Sequence, residues 1–318
     1  MFPPVLVLAA VAGGTALGAA ALASARWPYR SPGAAILLWQ ALGLSWGLAA
    51  VGALAALGAV PGRHGVAGGA LSGAARAIRS AALGFGPPAL IATARLAVLA
   101  ASAALFALLV WVLLAASAAV LVARRRHRIL LSLLAHGDPK VPGALVVDHP
   151  AAAAYCVPGL RSKIVISAGT LDLLDSAELA AVLAHERAHL RARHDLVLLP
   201  FSALGRAFPR ARLVRQGHAT VALLVEMLAD DQALRQRPAR ELATALLRVG
   251  ASGAGLAPTG ALAATGTAAA GTADAEVTAR VARLLTPQAR LPRHVQALVC
   301  CAAALLVAVP VTLLLFSF

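Results

Sequence analysis

No aspartate or glutamate occurs in the first 137 residues of this 318-residue chain; all 13 acidic residues lie between Asp138 and Glu276. Charged residues of both signs make up only 13% of the sequence, about half of what a soluble globular domain carries. Lysine is nearly absent, at 140 and 163 only, so the formal charge of +15 rests on arginine. Aromatic residues are 4%, and the arginines flank apolar runs without the interleaved aromatics and amides of a nucleic-acid surface. Direct nucleic-acid binding is therefore not expected. Three cysteines are too few and too scattered for a disulfide framework, and Cys156 reads as a small buried side chain.

What the chain has in abundance is apolar sequence, 60% of its residues. About 20 consecutive apolar residues are needed to cross a bilayer as a helix, and stretches at about 4–25, 35–60, 96–122 and 295–316 meet that requirement. The first lacks a basic segment before its core and is long for a signal peptide, so it reads as a retained anchor. Glycines at 13, 14, 18, 43, 47 and 52 would allow close helix contacts in this part of the chain. The expected fold is an α+β membrane protein with four transmembrane helices and a mainly helical domain that carries a small β-sheet. Its expected divisions are 1–123, holding three membrane helices, 124–294, facing water, and 295–318, the fourth membrane helix.

Arg124, Arg125, Arg126, His127 and Arg128 directly follow the third span, and a positive flank stays on the cytoplasmic side. This places the N-terminus outside, 26–34 inside, 61–90 outside, the 124–294 region inside and the C-terminus outside. Arg63, Arg76 and Arg79 in the 61–90 segment run against that rule.

Within 124–294, LVVDHP, AAAYCVPG and KIVISAG read as short strands punctuated by Pro150, Pro158 and Gly159. TLDLL reads as a helical turn capped by Thr170. Asp175 and Glu178 have capping-box spacing and predict a helix over 176–193. Further helices are expected at 216–237, at 239–250 and over DAEVTARVARLLT, whereas 251–272 is uncharged, low in complexity and reads as a mobile connection.

The 176–193 helix contains His185-Glu186-Arg187-Ala188-His189. Histidines four apart share a helix face and can bind one zinc ion, and the glutamate beside the first can take a proton from water on that metal. Glu226 and Asp230 form a second pair four apart on a hydrophobic helix. Glu226 would complete a His2Glu site with one position open, and Asp230 would hydrogen-bond the second nitrogen of a zinc histidine. Asp195 is the competing third ligand, but Ala192 stands where such compact sites use glycine to turn the chain back. His194 is a candidate for substrate contact. Lys163, Ile164, Val165, Ile166 and Ser167 are read as an exposed edge strand that would hold an extended peptide through backbone hydrogen bonds.

Taken together, the membrane segments, the HExxH and ExxxD motifs, the strand region and ARVARLL around Arg280 resemble the M56 membrane metallopeptidases, the protease modules of BlaR/MecR-type sensor-transducers, which are similar to the M48 group of HtpX-like and CAAX-processing enzymes. The resemblance implies a zincin-like catalytic domain with one Zn(2+) per chain on His185, His189 and Glu226, with Glu186 as base, Asp230 behind the ligands and a cytoplasmic catalytic side. It implies an integral zinc endopeptidase of a bacterial cell membrane that hydrolyses internal peptide bonds through zinc-bound water. The expected partners are the lipid bilayer and a protein or peptide substrate, either a soluble transcriptional repressor or a membrane protein. No penicillin-binding domain follows the fourth span, so antibiotic sensing is not expected. The alternative is a non-catalytic membrane regulator or scaffold that retains the peptidase fold.

Overall fold

The structure, a computed structural model, describes residues 4–59, 65–82, 87–139, 141–159, 162–252, 270–286 and 288–316. The chain forms two compact units, Met1–Val112 with Leu291–Phe318, and Leu113–Arg290.

In the first unit, α1 (Pro4–Ser24), α2 (Pro32–Gly58) and α11 (Arg293–Leu315) pack together, and α3 (Gly65–Ala82) joins α2 and α11. Leu8, Ala49 and Val66 are buried against Leu313 and Leu314. A Cβ at Gly52 would lie 3.1 Å from Leu314 and 3.2 Å from Leu8, so a side chain there would separate these helices. Gly13, Gly14 and Gly43, by contrast, face open space. Ser45 donates its hydroxyl proton to the Leu306 carbonyl at 2.6 Å, which satisfies a polar group where lipid offers no partner.

Four helices, α1, α2, α4 (Pro87–Leu134) and α11, are long and apolar enough to span a bilayer. Large apolar side chains on all four, such as Leu17, Leu37, Trp111 and Leu305, face outward. Hydrocarbon is the solvent that accepts such a surface, and the chain is a multi-pass membrane protein. Two features of this region differ from expectation. The 61–90 stretch contains the helix α3, and α4 does not stop at 122 but runs through the arginine cluster for 48 residues. From 89 to 136 there is neither glycine nor proline to end it, and arginine is itself a good helix former.

The second unit is built around a four-stranded sheet of β1 (Ala135–Gly137), β2 (Ala144–Val147), β3 (Ala154–Val157) and β4 (Lys163–Ser167), in the order β1-β2-β4-β3. β2 and β4 are parallel, and the other two pairs are antiparallel. Alternation along the strands divides their side chains between two faces. Val146, Ala154, Ile164 and Ile166 meet Leu179, Val182 and Leu183 of α6 (Ser176–Ala192) together with Ala245 and Val249 of α9 (Ala239–Ala251). On the other face Val157 and Val165 meet Leu131 of α4. β4 therefore lies inside the sheet, hydrogen-bonded on both sides. This corrects the edge-strand expectation for Lys163, Ile164, Val165, Ile166 and Ser167: their backbone groups are already used, and 164 to 167 are buried.

β4 leads into α5 (Ala168–Leu173), and the cap is Ser167, not Thr170. Ser167 Oγ accepts from the Thr170 amide, while the Thr170 hydroxyl donates to the Ala153 carbonyl at 2.9 Å. Gly169 lies against the Pro150 carbonyl so closely that a Cβ would overlap it. Gly169→Ala is expected to destabilise this unit by roughly 1–3 kcal/mol, because backbone and not a flexible side chain must yield. Thermal unfolding of the purified variant checks this, and an unchanged transition would contradict it.

α6 begins with the expected capping box: Asp175 accepts from the amides of Ala177 and Glu178, and Glu178 accepts from the Asp175 amide at 3.1 Å. After α6 come α7 (His194–Ala207), α8 (Arg212–Ala233), α9 and α10 (Ala270–Leu285). α7 has no counterpart in the sequence reading, since Pro200 and the flanking apolar run obscure it. The 251–272 connection falls, for residues 253–269, outside the described residues.

Candidate metal centre

His185, Glu186 and His189 lie on the buried side of α6, each at most 4% exposed. Glu226 comes from α8, which packs against α6. His185, His189 and Glu226 each offer one ligand atom, and the three lie within 4.8 Å of one another. His185 Nε2 is 3.0 Å from His189 Nε2 and 3.3 Å from Glu226 Oε2, and His189 Nε2 is 3.5 Å from Glu226 Oε1. Three donors at about 2 Å from one small cation require spacings of this order, and two imidazoles with a carboxylate suit zinc. The cluster is suited to coordinate a metal.

The groups behind these donors orient them. Asp230 Oδ1 is 3.0 Å from His185 Nδ1, which directs the other ring nitrogen into the cluster. Arg280 of α10 donates to both oxygens of Asp230, from Nε at 2.9 Å and from Nη2 at 2.7 Å. Its Nη1 lies 3.1 Å from Glu226 Oε2. One fork thus holds both carboxylates of the ExxxD pair. The ARVARLL segment contained this residue, but its partners lie on α8, and spacing in the chain could not show them.

The charge balance follows from this geometry. Burial would raise Glu226, yet the positive charges of His189 and Arg280 outweigh it and hold the carboxyl well below its ordinary range. Asp230 is likewise pushed up by burial and, more strongly, down by Arg280 and His185, to about 2. Burial disfavours the proton on His185, but hydrogen bonds to Asp230 and Glu226 dominate and lift it to about 9. Glu186 differs from its neighbours: burial raises it, against the lowering charges of His185 and His189. The Cys156 thiol of β3 is buried and sits beside Glu186; burial, then the Glu186 charge, push it up, so it stays protonated.

His194 is 1% exposed, with Nδ1 2.9 Å from His189 Nδ1. Burial and the neighbouring His189 bring it down to about 3, so its ring is neutral and can accept a hydrogen bond from His189. Burial leaves His194 little surface to offer a substrate, and its ring lies against His189, one of the three candidate donors. Asp195, the competing third ligand, is paired with Arg124 at 2.9 Å and stands outside the cluster. Arg193 supplies the turn that glycine at 192 would have made, with φ 50° and ψ 45°.

Residues 120–237 match the sequence model of the family described as Peptidase family M48. The chain is 32% identical over 121 residues to the plastoglobule-localized metallopeptidase 48, chloroplastic, of Arabidopsis thaliana; this covers 36% of the chain and 32% of that relative. The chain thus spans about a third of the relative's length. No solved structure matches. These findings correct the family drawn from the motifs: the region that carries HExxH and ExxxD is similar to the M48 (HtpX-like) family and not to the distinct M56, BlaR/MecR kind.

Proposed function

We propose that the chain is an integral-membrane, zinc-dependent endopeptidase of M48 type, with one Zn(2+) held by His185, His189 and Glu226. The observation that carries this reading is the convergence of those three donors, from two helices, beside the buried carboxyl of Glu186. When bound, zinc supplies Lewis acidity toward water and the scissile carbonyl. Glu186 takes the proton of the attacking water and passes it to the leaving amine. Burial favours this, because a carboxyl raised above its ordinary range is a stronger base toward the water proton.

The edge of the sheet next to α6 is β3, which among the described residues pairs only with β4. An extended peptide added there would run past Glu186, since Cys156 of the same strand sits beside that carboxyl. The substrate class is therefore an unfolded or extended protein segment. The arginine run at 124–128 favours a cytoplasmic catalytic side in a bacterial cell membrane.

Metal analysis of the detergent-purified protein, combined with a casein-type cleavage assay, tests this. About one zinc per chain is expected, with activity abolished by a strong chelator and restored by Zn(2+). Glu226→Gln should weaken zinc retention while leaving the fold intact. Folded wild type that takes up no zinc under metal-replete conditions would refute the reading, and stoichiometric zinc with no cleavage of any unfolded protein would favour the non-catalytic regulator.

A further inference from the structure

The five basic residues that end the apolar part of α4 do not all face the same way. Arg125, Arg126 and Arg128 are exposed, as headgroup-facing residues would be, but Arg124 is 6% exposed. Its Nη2 lies 2.9 Å from Asp195 Oδ2, and Asp195 is also 6% exposed. An arginine drawn out of water beside three that stay in it has a specific partner to meet.

That partner stands directly behind the metal cluster. Asp195 lies in the first turn of α7, and two residues before it Arg193 is the one non-glycine residue among those described with positive φ. A left-handed conformation at arginine persists only where its surroundings hold it. Between the two lies His194, whose Nδ1 contacts His189 Nδ1 at 2.9 Å. Nε2, the other nitrogen of His189, points to His185 and Glu226. The turn that Arg124 grips through Asp195 is therefore the turn that sets the ring of a metal-ligating histidine.

Arg124 is also presented from a firm support. Residues 124, 127 and 131 lie on one side of α4, at helical spacings of three, four and seven. His127 Nε2 is 3.0 Å from the Tyr155 hydroxyl of β3, and Leu131 is buried against Val157 and Val165. The same stripe thus contacts the sheet face opposite α6 and the start of α7.

We propose that Arg124 is a positioning residue of the metal centre: its ion pair with Asp195 holds the 193–195 turn so that His194 keeps the His189 ring aimed at the metal. This rests on the zinc-peptidase reading above. It adds a residue far from the HExxH and ExxxD motifs in sequence and places it on the helix that leaves the membrane.

The test is zinc affinity of the full-length detergent-solubilised protein, by competition with a chromophoric chelator, together with the visible spectrum of the cobalt-substituted form. The double variant Arg124→Met/Asp195→Leu removes both buried charges and takes from the half-exposed Arg193 only its 3.6 Å contact with Asp195. Asp195→Asn weakens the pair with almost no change of shape. The double variant is expected to bind zinc about 10–100-fold more weakly than wild type, the range for loss of a group that orients a metal ligand, with an altered cobalt spectrum at unchanged helix content. Asp195→Asn should show the same loss in smaller degree, and Arg125→Gln, on the exposed side of the same turn, should keep wild-type affinity. If either pair variant folds and binds zinc as tightly as wild type with an unchanged cobalt spectrum, the assignment is overturned. Should the double variant fail to fold, Asp195→Asn decides alone. Wild type that binds no zinc would instead overturn the zinc-peptidase reading, and the two failures are distinct.

Discussion

Glu186→Ala is expected to retain about one zinc per chain while its rate of peptide-bond hydrolysis falls by roughly 10²–10⁴-fold. The two effects separate because Glu186 lies outside the donor set formed by His185, His189 and Glu226. Truncating it removes the proton acceptor without removing a ligand. The substitution also takes a raised, buried carboxyl out of the interior, so the variant should be no less stable than wild type. Metal content, unfolding temperature and turnover measured on one preparation decide the matter. Zinc lost together with activity would move Glu186 into the ligand set, and activity retained within tenfold would rule it out as the base.

The second large effect is one of stability. Arg280, 4% exposed, is the cation against which Asp230 and Glu226 are both held, and burial is outweighed by those two carboxylates in raising its own proton affinity. Arg280→Met would leave buried negative charge uncompensated, at a cost of roughly 3–5 kcal/mol. Zinc should recover part of this, since it supplies positive charge to the same cluster. A pH dependence accompanies it. The Asp230 carboxyl lies at about 2, below its ordinary 3.8, so its pairing contributes stability above about pH 4 that is lost as the pH falls toward 2. That contribution is about 2 kcal/mol by linkage and should shrink in Arg280→Met, which leaves only His185 to lower the carboxyl, so the stability gap between variant and wild type should narrow as the pH falls toward 2. Denaturant unfolding at pH 7 and at pH 3, with and without zinc, tests both points. A variant as stable as wild type at pH 7 would show that the two carboxylates find compensation elsewhere.

Much of the site was legible in the chain because it rests on local periodicity. Two histidines four apart on a capped helix must share a face, and so must Glu226 and Asp230, whatever the rest of the protein does. The capping box at Asp175 and Glu178 is likewise a matter of three residues' spacing. Apolar length alone identified four membrane helices, since the bilayer sets the requirement and no partner residue enters it. Even the preference for Glu226 over Asp195 came from a local cue, the missing glycine at 192; Arg193 nevertheless adopts the left-handed turn, and Asp195 is withheld by its pairing with Arg124.

What depended on distant parts of the chain could not be read in this way. β4 was legible as a strand, but whether it lay at an edge depended on β2 and β3 pairing on either side, a question of sheet order that 163–167 do not encode. α4 continued through the arginines because arginine is compatible with both a helix and a membrane flank, and composition does not distinguish the two. The enclosure of His194 between α6 and α7 likewise has no signal in the residues around it. The family similarity also differs from the one the motifs suggest, because HExxH followed by ExxxD is shared chemistry and 118 residues of matched sequence, 120–237, carry more information than the motifs do.

The amino-acid sequence by itself determined the membrane character, the helix bearing the two histidines and the identities of the donors, because each follows from spacing along one helix or from apolar length. The tertiary structure decided which groups hold those donors in place. Arg280 reaching Asp230 and Glu226 across 50 or more residues, His194 against His189, and Arg124 against Asp195 are contacts between separate elements. Their formation depends on how α4, α7, α8 and α10 pack around the sheet and α6, and no spacing along the chain specifies that.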